Sequence, residues 1–246
     1  MNSSPFLVLG ASRRDFRPTD IGAGVKLWLR ADLGVTQSAG LVSAWNDQTT
    51  NANHATEATN KPTFVASGLN SLPTIRFVGP TVLSGSSNIV ASGAARTTFI
   101  VFSNQQGGVS FVNVFVYRVG TPNFSIAWDV GTSVYTDGVN AGTNEAIPAE
   151  TFVQSAVYET GWDGNSTHLL TVKLNGSSRT TSSLGGPTAG PSSDTGTAGY
   201  QIHDSATPSG WGGDISEIVC CDGTVSAGDL FQIRHYLGAR YGLAIS

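Results

Sequence analysis

Only one stretch of this chain repeats its apolar residues at helical spacing. In "SAGDLFQIRHYLGARYG", which starts at Ser226, the residues Leu230, Ile233, Tyr236 and Leu237 stand at i, i+3, i+6 and i+7. That spacing puts one apolar stripe on a helix of about three to four turns. Ser226 suits the N-cap, with Asp229 as its capping-box partner, and Gly242 suits the stop. Between Lys26 and Asp222 the apolar residues come instead in short runs bounded by Gly, Pro, Ser and Asn. Such a chain buries its apolar faces by stacking strands on strands, with a single helix at the end.

The runs read as strands one after another. "KLWLRA" (26–31) is compact and apolar, and "PTIRFVG" (73–79) alternates, with Ile75 and Phe77 opposite Thr74, Arg76 and Val78. "TTFIVFS" (97–103) and "SFVNVFVYRV" (110–119) are apolar on both faces, as central strands are. "FSIAWDV" (124–130) and "TFVQSAVYE" (151–159) follow. In "HLLTVKLNGSSRTTSS" (168–183), Leu170, Val172 and Leu174 alternate with polar residues up to Asn175-Gly176, a preferred type I′ hairpin turn. Residues 183–199 are a Gly/Pro/Ser/Thr loop. Residues 1–24 lack periodicity and read as an extended N-terminal arm, leaving 25–246 as one β-sandwich. So many strands with one terminal helix imply an all-β, jelly-roll-like sandwich of two antiparallel sheets.

Composition narrows the function. Charged residues make up 12% of the chain, about half the usual share of roughly 25%, yet 39% is hydrophobic, which excludes disorder. Net charge is −4 and the lysines are only Lys26, Lys61 and Lys173, so no basic face binds nucleic acid. No apolar run reaches the roughly 18 residues of a membrane span, and "MNSSPFLVLGASRR" makes a poor signal peptide. A hydroxyl-rich chain of extracellular character without an export segment points to a virion, made in a host cytoplasm and working outside it. Cys220 and Cys221 are neighbours on a strand and face opposite ways, so they are expected reduced and partly buried, with neither a disulfide nor a zinc site.

Both ends of the chain resemble a known family. "FRPTDIGAGVKLWLRADLGV" (16–35), "VSAWNDQTTNANHATEATNKPTF" (42–64) and "LPTIRFVG" (72–79) look like the opening of the concanavalin A-like (laminin G-like) jelly rolls of phage virion and bacterial surface proteins. "GGDISEIVCCDGTVSAGDLFQIRHYLGARYGL" looks like their last strand and short helix. The resemblance covers about half the chain. It implies the fold, and an acidic residue at Glu217 that accepts hydrogen bonds rather than doing chemistry. The "CC" pair departs from the aliphatic or aromatic pair that relatives carry, and reads as two small hydrophobes.

Catalysis has little to stand on in the sequence. Glycoside hydrolysis needs two carboxyl groups about 5–5.5 Å or about 6.5–9.5 Å apart. The nearest spacing match to the laminarinase-like Glu-x-Asp-x-x-Glu is Glu145 to Glu150, with Ile147 at the central position and Pro148 in the way. Of the four histidines, His235 beside the helical stripe reads as structural, and the His203-Asp204 pair lacks a nucleophile. No enzyme, cofactor or catalytic residue is expected.

Binding has more. Sugars need an aromatic face and amide, carboxylate or backbone partners. "YTDGVNAGTNE" (135–145) offers Tyr135, Asp137, Asn140 and Asn144, and "YETGWDGNSTH" (158–168) offers Tyr158, Trp162, Asp163 and Asn165. Asp137, Asn140 and Glu145 carry the oxygens calcium takes, at a spacing that fits no calcium loop. In the arm, the apolar Phe6, Leu7, Val8 and Leu9, with Arg13, Arg14, Phe16 and Arg17, would dock on a partner subunit. The expected function is therefore a non-enzymatic phage virion structural protein, in head decoration or a tail or fibre. It would be anchored by its arm to other virion proteins, touch host-surface glycans and form homo-oligomers, trimers by analogy with virion appendages. The alternatives are a bacterial carbohydrate-binding or adhesion module and an atypical glycoside hydrolase.

Overall fold

The computed structural model describes residues 15–21, 24–89, 95–106, 112–117, 124–129, 133–138, 144–146, 155–162, 170–178, 182–183, 199–203 and 212–246. The chain runs through β1 (Gly24–Arg30), β2 (Val35–Ser38), β3 (Leu41–Trp45), β4 (Ala55–Thr56), β5 (Thr63–Leu69) and β6 (Leu72–Phe77). It continues through β7 (Leu83–Gly85), β8 (Arg96–Gln106), β9 (Val112–Val116), β10 (Phe124–Asp129), β11 (Ser133–Gly138) and β12 (Asn144–Ala146). Then come β13 (Ser155–Trp162), β14 (Leu170–Leu174), β15 (Ser177–Ser178), β16 (Ser182–Ser183), β17 (Tyr200–Ile202), β18 (Gly212–Asp222) and the helix α1 (Ala227–Tyr241).

The strands form the expected all-β jelly-roll sandwich, a curled antiparallel sheet folded into two layers. In the first layer β14, β13, β8 and β18 lie side by side. The far edge of β18 is shared by β1, opposite Glu217 to Asp222, and β6, opposite Gly213 to Ile215. The second layer runs β2, β3, β4, β7, β17, β9, β10, β11, β12 and β16. Between the layers, Leu27, Phe77, Ile100 and Ile218 meet Trp45, Leu83, Phe115 and Tyr200.

A second apolar cluster lies on the outer face of the first layer. Trp28, Phe99, Val101, Val219 and Cys221 pack there beneath Ile233, Leu237 and Tyr241 of α1. β1 and β18 are thus buried on both faces, which explains why "LWL" and "EIVCC" lack alternation. Cys220 and Cys221 fall in different clusters, as their opposed directions require. Both are free and fully buried rather than partly so. Burial pushes the Cys221 thiol up to about 12 and the Cys220 thiol higher still, so neither is a nucleophile at neutral pH.

Local signals behave as read, except that Asp229 takes its bond from the Ser226 hydroxyl and not from the Ser226 N–H, so the reciprocal half of the expected capping box is not made. Asp229 N–H donates to Ser226 Oγ (3.1 Å), which in turn donates to Asp229 Oδ2 (2.9 Å). Gly242 closes α1 in the left-handed conformation, φ 62°. Asn175 and Gly176 take φ 49° and 84°, the signs a type I′ turn demands. A Cβ at Gly176 would overlap the Ser246 carbonyl, because the chain end crosses this turn through Ser246 N–H to Asn175 O (2.9 Å). Gly176→Ala should therefore cost more than about 1 kcal/mol, read as a lowered midpoint in urea. A midpoint equal to wild type would deny that contact.

The "WND" turn is a structural hub. Asp47 accepts from Trp28 N–H (2.9 Å), Thr49 N–H (3.0 Å), Thr49 Oγ1 (2.7 Å) and Asn53 N–H (3.0 Å). A carboxylate so enclosed by donors fixes the turn against β1. Of the expected arm the structure describes residues 15–21 and Gly24, with a single 3-10 turn at Pro18–Asp20, and Phe16 packs edge-on to Tyr236 at 5.8 Å. Phe6, Leu7, Val8, Leu9, Arg13 and Arg14 lie outside the described residues.

Candidate functional site

Glu217 is fully buried in β18, and its donors are side chains from β1 and α1. Trp28 Nε1–H donates to Oε1 (2.6 Å) and Tyr241 Oη–H to Oε2 (2.8 Å), while Arg240 Nε stands 3.6 Å from Oε2. Burial pushes the Glu217 carboxyl above its ordinary value, against the bonds from Trp28 and Tyr241 and the charge of Arg240. This acid ties β1 and α1 to the last strand and has no access to a substrate.

The other buried acids of the first layer are equally committed. Asp214 accepts a bidentate pair from Arg76, at 2.7 and 2.9 Å, and Glu159 one from Arg234, at 2.6 and 2.7 Å. His203 is buried, with Nδ1 2.5 Å from Thr81 O and its ring 5.7 Å from Phe77. Asp204 and Glu150 lie outside the described residues.

Above Glu217 the surface opens into a groove of about 840 Å³ between α1, β1 and the 15–17 segment. Trp28 and Tyr236 meet edge to face at 6.5 Å on its floor, and the Arg30 guanidinium lies 5.5 Å over the Trp28 ring. Arg30 donates to both oxygens of Asp32, at 3.1 and 2.8 Å, and Arg240 shares the same carboxylate. Burial acts to raise the Asp32 carboxyl, but these bonds and charges outweigh it and hold it below the usual range. On the helix wall Phe231 is 59% exposed, and its ring centroid lies 4.1 Å from that of His235. The two rings form an exposed ledge, with Gln232 beside them. His235 is thus a groove residue rather than a packed one.

The sequence-based sugar residues fall elsewhere. Asp137 pairs in register with Asn144, and Tyr135 with Ala146, on β11 and β12 of the second layer. Tyr158 and Trp162 lie on β13 of the first layer, opposite Leu174 and Leu170. The two stretches therefore sit in different layers. Asn140, Asp163 and Asn165 lie outside the described residues. Among the described residues no three acidic, histidine or cysteine side chains converge as metal ligands, and no helix is long and apolar enough to cross a membrane. The Phe231–His235 ledge was missed in the sequence, although a Phe beside the apolar stripe of an amphipathic helix is its signal.

Comparison with known proteins identifies the fold through structure alone. No family model matches the chain, and no curated protein sequence matches it. A Trypanosoma rangeli sialidase in complex with sialic acid aligns with TM-score 0.60 at 10% identity, over 88% of this chain and 33% of that one. An arabinofuranosidase complexed with arabinofuranosyl-α-1,2-xylobiose aligns with TM-score 0.53 at 13% identity, over 90% of this chain and 60% of that one. Domain 4 of the extracellular arabinanase of Geobacillus stearothermophilus, in complex with arabinotriose, aligns with TM-score 0.56 at 11% identity. That alignment covers 87% of this chain and 98% of the domain. The chain thus spans a third of the sialidase's length and nearly the whole of the arabinanase domain. These neighbours overturn the expectation of a phage virion structural protein: glycoside hydrolases and a domain that holds an oligosaccharide share this fold, and nothing in them points to a virion.

Proposed function

We propose that this chain is a carbohydrate-binding module without catalytic activity of its own, and that the groove between α1 and β1 holds an oligosaccharide. The observation that carries the reading is the Phe231–His235 ledge. A large aromatic ring left 59% exposed beside a groove offers the flat apolar face on which the C–H side of a sugar ring stacks. Gln232 offers a donor and an acceptor, and Arg30 and Arg240, which also line the groove, offer donors to the hydroxyls around that face. The likeness in size and fold to the arabinotriose-bound arabinanase domain supports a binding role. Against catalysis stand Glu217, Asp214 and Glu159, each already saturated by fixed donors.

Calorimetric titration with arabino-, xylo- and cello-oligosaccharides, arabinotriose included, tests the reading. Wild type should bind at least one series. Phe231→Ala should weaken that binding at least about tenfold, or about 1.4 kcal/mol, with an unchanged melting temperature because the side chain is mostly exposed. Binding equal to wild type in the variant would remove the groove as the site. Release of reducing sugar from the matching polymer would remove the non-catalytic part.

A further inference from the structure

A second cleft, of about 490 Å³, lies where the turn before β4 meets the end of β7. This volume is within the range of about 300–1,000 Å³ typical of small-ligand sites. Its walls are Ala52, His54 and Thr56 on one side and Ser84 to Ser87 on the other. Thr56 pairs directly with Ser84 across the two strands, so their side chains share a face. Their neighbours Ala55 and Leu83 are fully buried in the core between the layers. Thr56 and Ser84 therefore point outward from the second layer, whereas the α1 groove lies on the outer face of the first.

The cleft is preorganised. Asp47 N–H donates to His54 Nδ1 (3.0 Å), which leaves the imidazole proton on Nε2 as an outward donor. Tyr200 Oη–H donates to Asn53 O (2.6 Å) from beneath β7, where a Cβ at Gly85 would overlap its ring. The two walls are thus joined below the opening. Among the described residues no bond engages the hydroxyls of Thr56, Ser84, Ser86 and Ser87. No Lys, Arg, Asp or Glu lines the space.

From this convergence we infer a second binding subsite, for a single neutral sugar ring. Each free hydroxyl both donates and accepts, as sugar hydroxyls do, and His54 Nε2–H adds one directional donor. An anion would use the donors alone and meet no cation. This inference rests on the carbohydrate-binding reading but uses residues disjoint from the groove. Two sites on opposite faces would let one chain bridge two glycan strands.

The test is amide chemical-shift mapping of the full chain with arabinotriose, xylotriose and cellotriose, and separately with sodium sulfate. Saturable shifts are expected at residues 52–56 and 84–87 with at least one trisaccharide. They should persist in Phe231→Ala and weaken at least about tenfold in Thr56→Val/Ser84→Val, β-branched residues that suit exposed strand positions. Ser86→Ala/Ser87→Ala, off the strands, gives the same reading should the strand pair disturb folding. Shifts confined to residues 231–240 would overturn the second subsite and leave the groove standing. Shifts at the cleft with sulfate alone, or their loss in Phe231→Ala, would also overturn it. Silence at both places with every trisaccharide would overturn both readings.

Discussion

Glu217→Ala should destabilise the fold by about 3–5 kcal/mol, whereas Glu217→Gln should stay within about 1 kcal/mol of wild type near neutral pH. The alanine variant leaves Trp28 Nε1–H buried without its acceptor and Tyr241 Oη–H with the Ser216 carbonyl at 3.4 Å in place of the carboxylate, and opens a void between β18 and α1. The glutamine keeps a carbonyl oxygen for Trp28, and its amide can donate to the Tyr241 oxygen. The pH dependence has a defined sign. Because burial raises the Glu217 carboxyl above its ordinary value of 4.5, the folded state holds this proton more tightly than the unfolded chain. The stability it contributes is fully present below that ordinary value and is lost as pH rises through the raised folded-state value. Wild type should therefore lose ground to Glu217→Gln as pH rises. Urea unfolding of both proteins between about pH 4 and about pH 8 measures this. A constant difference across that range would mean that Glu217 does not titrate differently in the folded state. A loss of under about 1 kcal/mol in the alanine variant would deny that it is the tie between strand and helix.

What the sequence reveals and what it hides divide along chain distance. The caps of α1 were legible because Ser226, Asp229 and Gly242 act on their own neighbours. The Asn175-Gly176 turn was legible because two adjacent φ angles define it. The acid at Glu217 was visible as an anomaly in an apolar strand, and its role as an acceptor followed. Its donors were not visible, because Trp28 lies 189 residues away and Tyr241 approaches from a helix packed over the strand. The groove was hidden for the same reason: it exists only once α1 lies across β1. Phe231 was readable as an aromatic outside the stripe of Leu230, Ile233, Tyr236 and Leu237, but its meaning depended on the wall opposite. The sugar residues chosen by composition, Tyr135 and Asp137 against Tyr158 and Trp162, belong to different layers, which a list of polar turns does not show.

Arg234→Ala should be the second most damaging change, at about 3–5 kcal/mol. Arg234 Nε and Nη2 donate to the two oxygens of Glu159, whose side chain is only 4% exposed against 14% for Arg234. Removing the arginine leaves a nearly buried carboxylate beneath α1 without its partner. Removing the glutamate strands a guanidinium that still touches solvent, so Glu159→Ala should cost less. If the pair is held by position rather than by net attraction, Glu159→Leu/Arg234→Met should recover most of the loss, because a packed apolar pair avoids the desolvation of both ions. Unfolding of the single and double variants in a double-mutant cycle measures the coupling directly. Arg234 lies on the same helix as Phe231 and His235. Loosening the helix from β13 should therefore also weaken sugar binding in the groove, and the double variant should restore binding together with stability. If Arg234→Ala lowered affinity while the restored double variant did not recover it, Arg234 would itself contact the ligand. If Arg234→Ala cost less than about 1 kcal/mol, the pair would be behaving as a solvated surface bridge and the helix would be held by its apolar stripe alone.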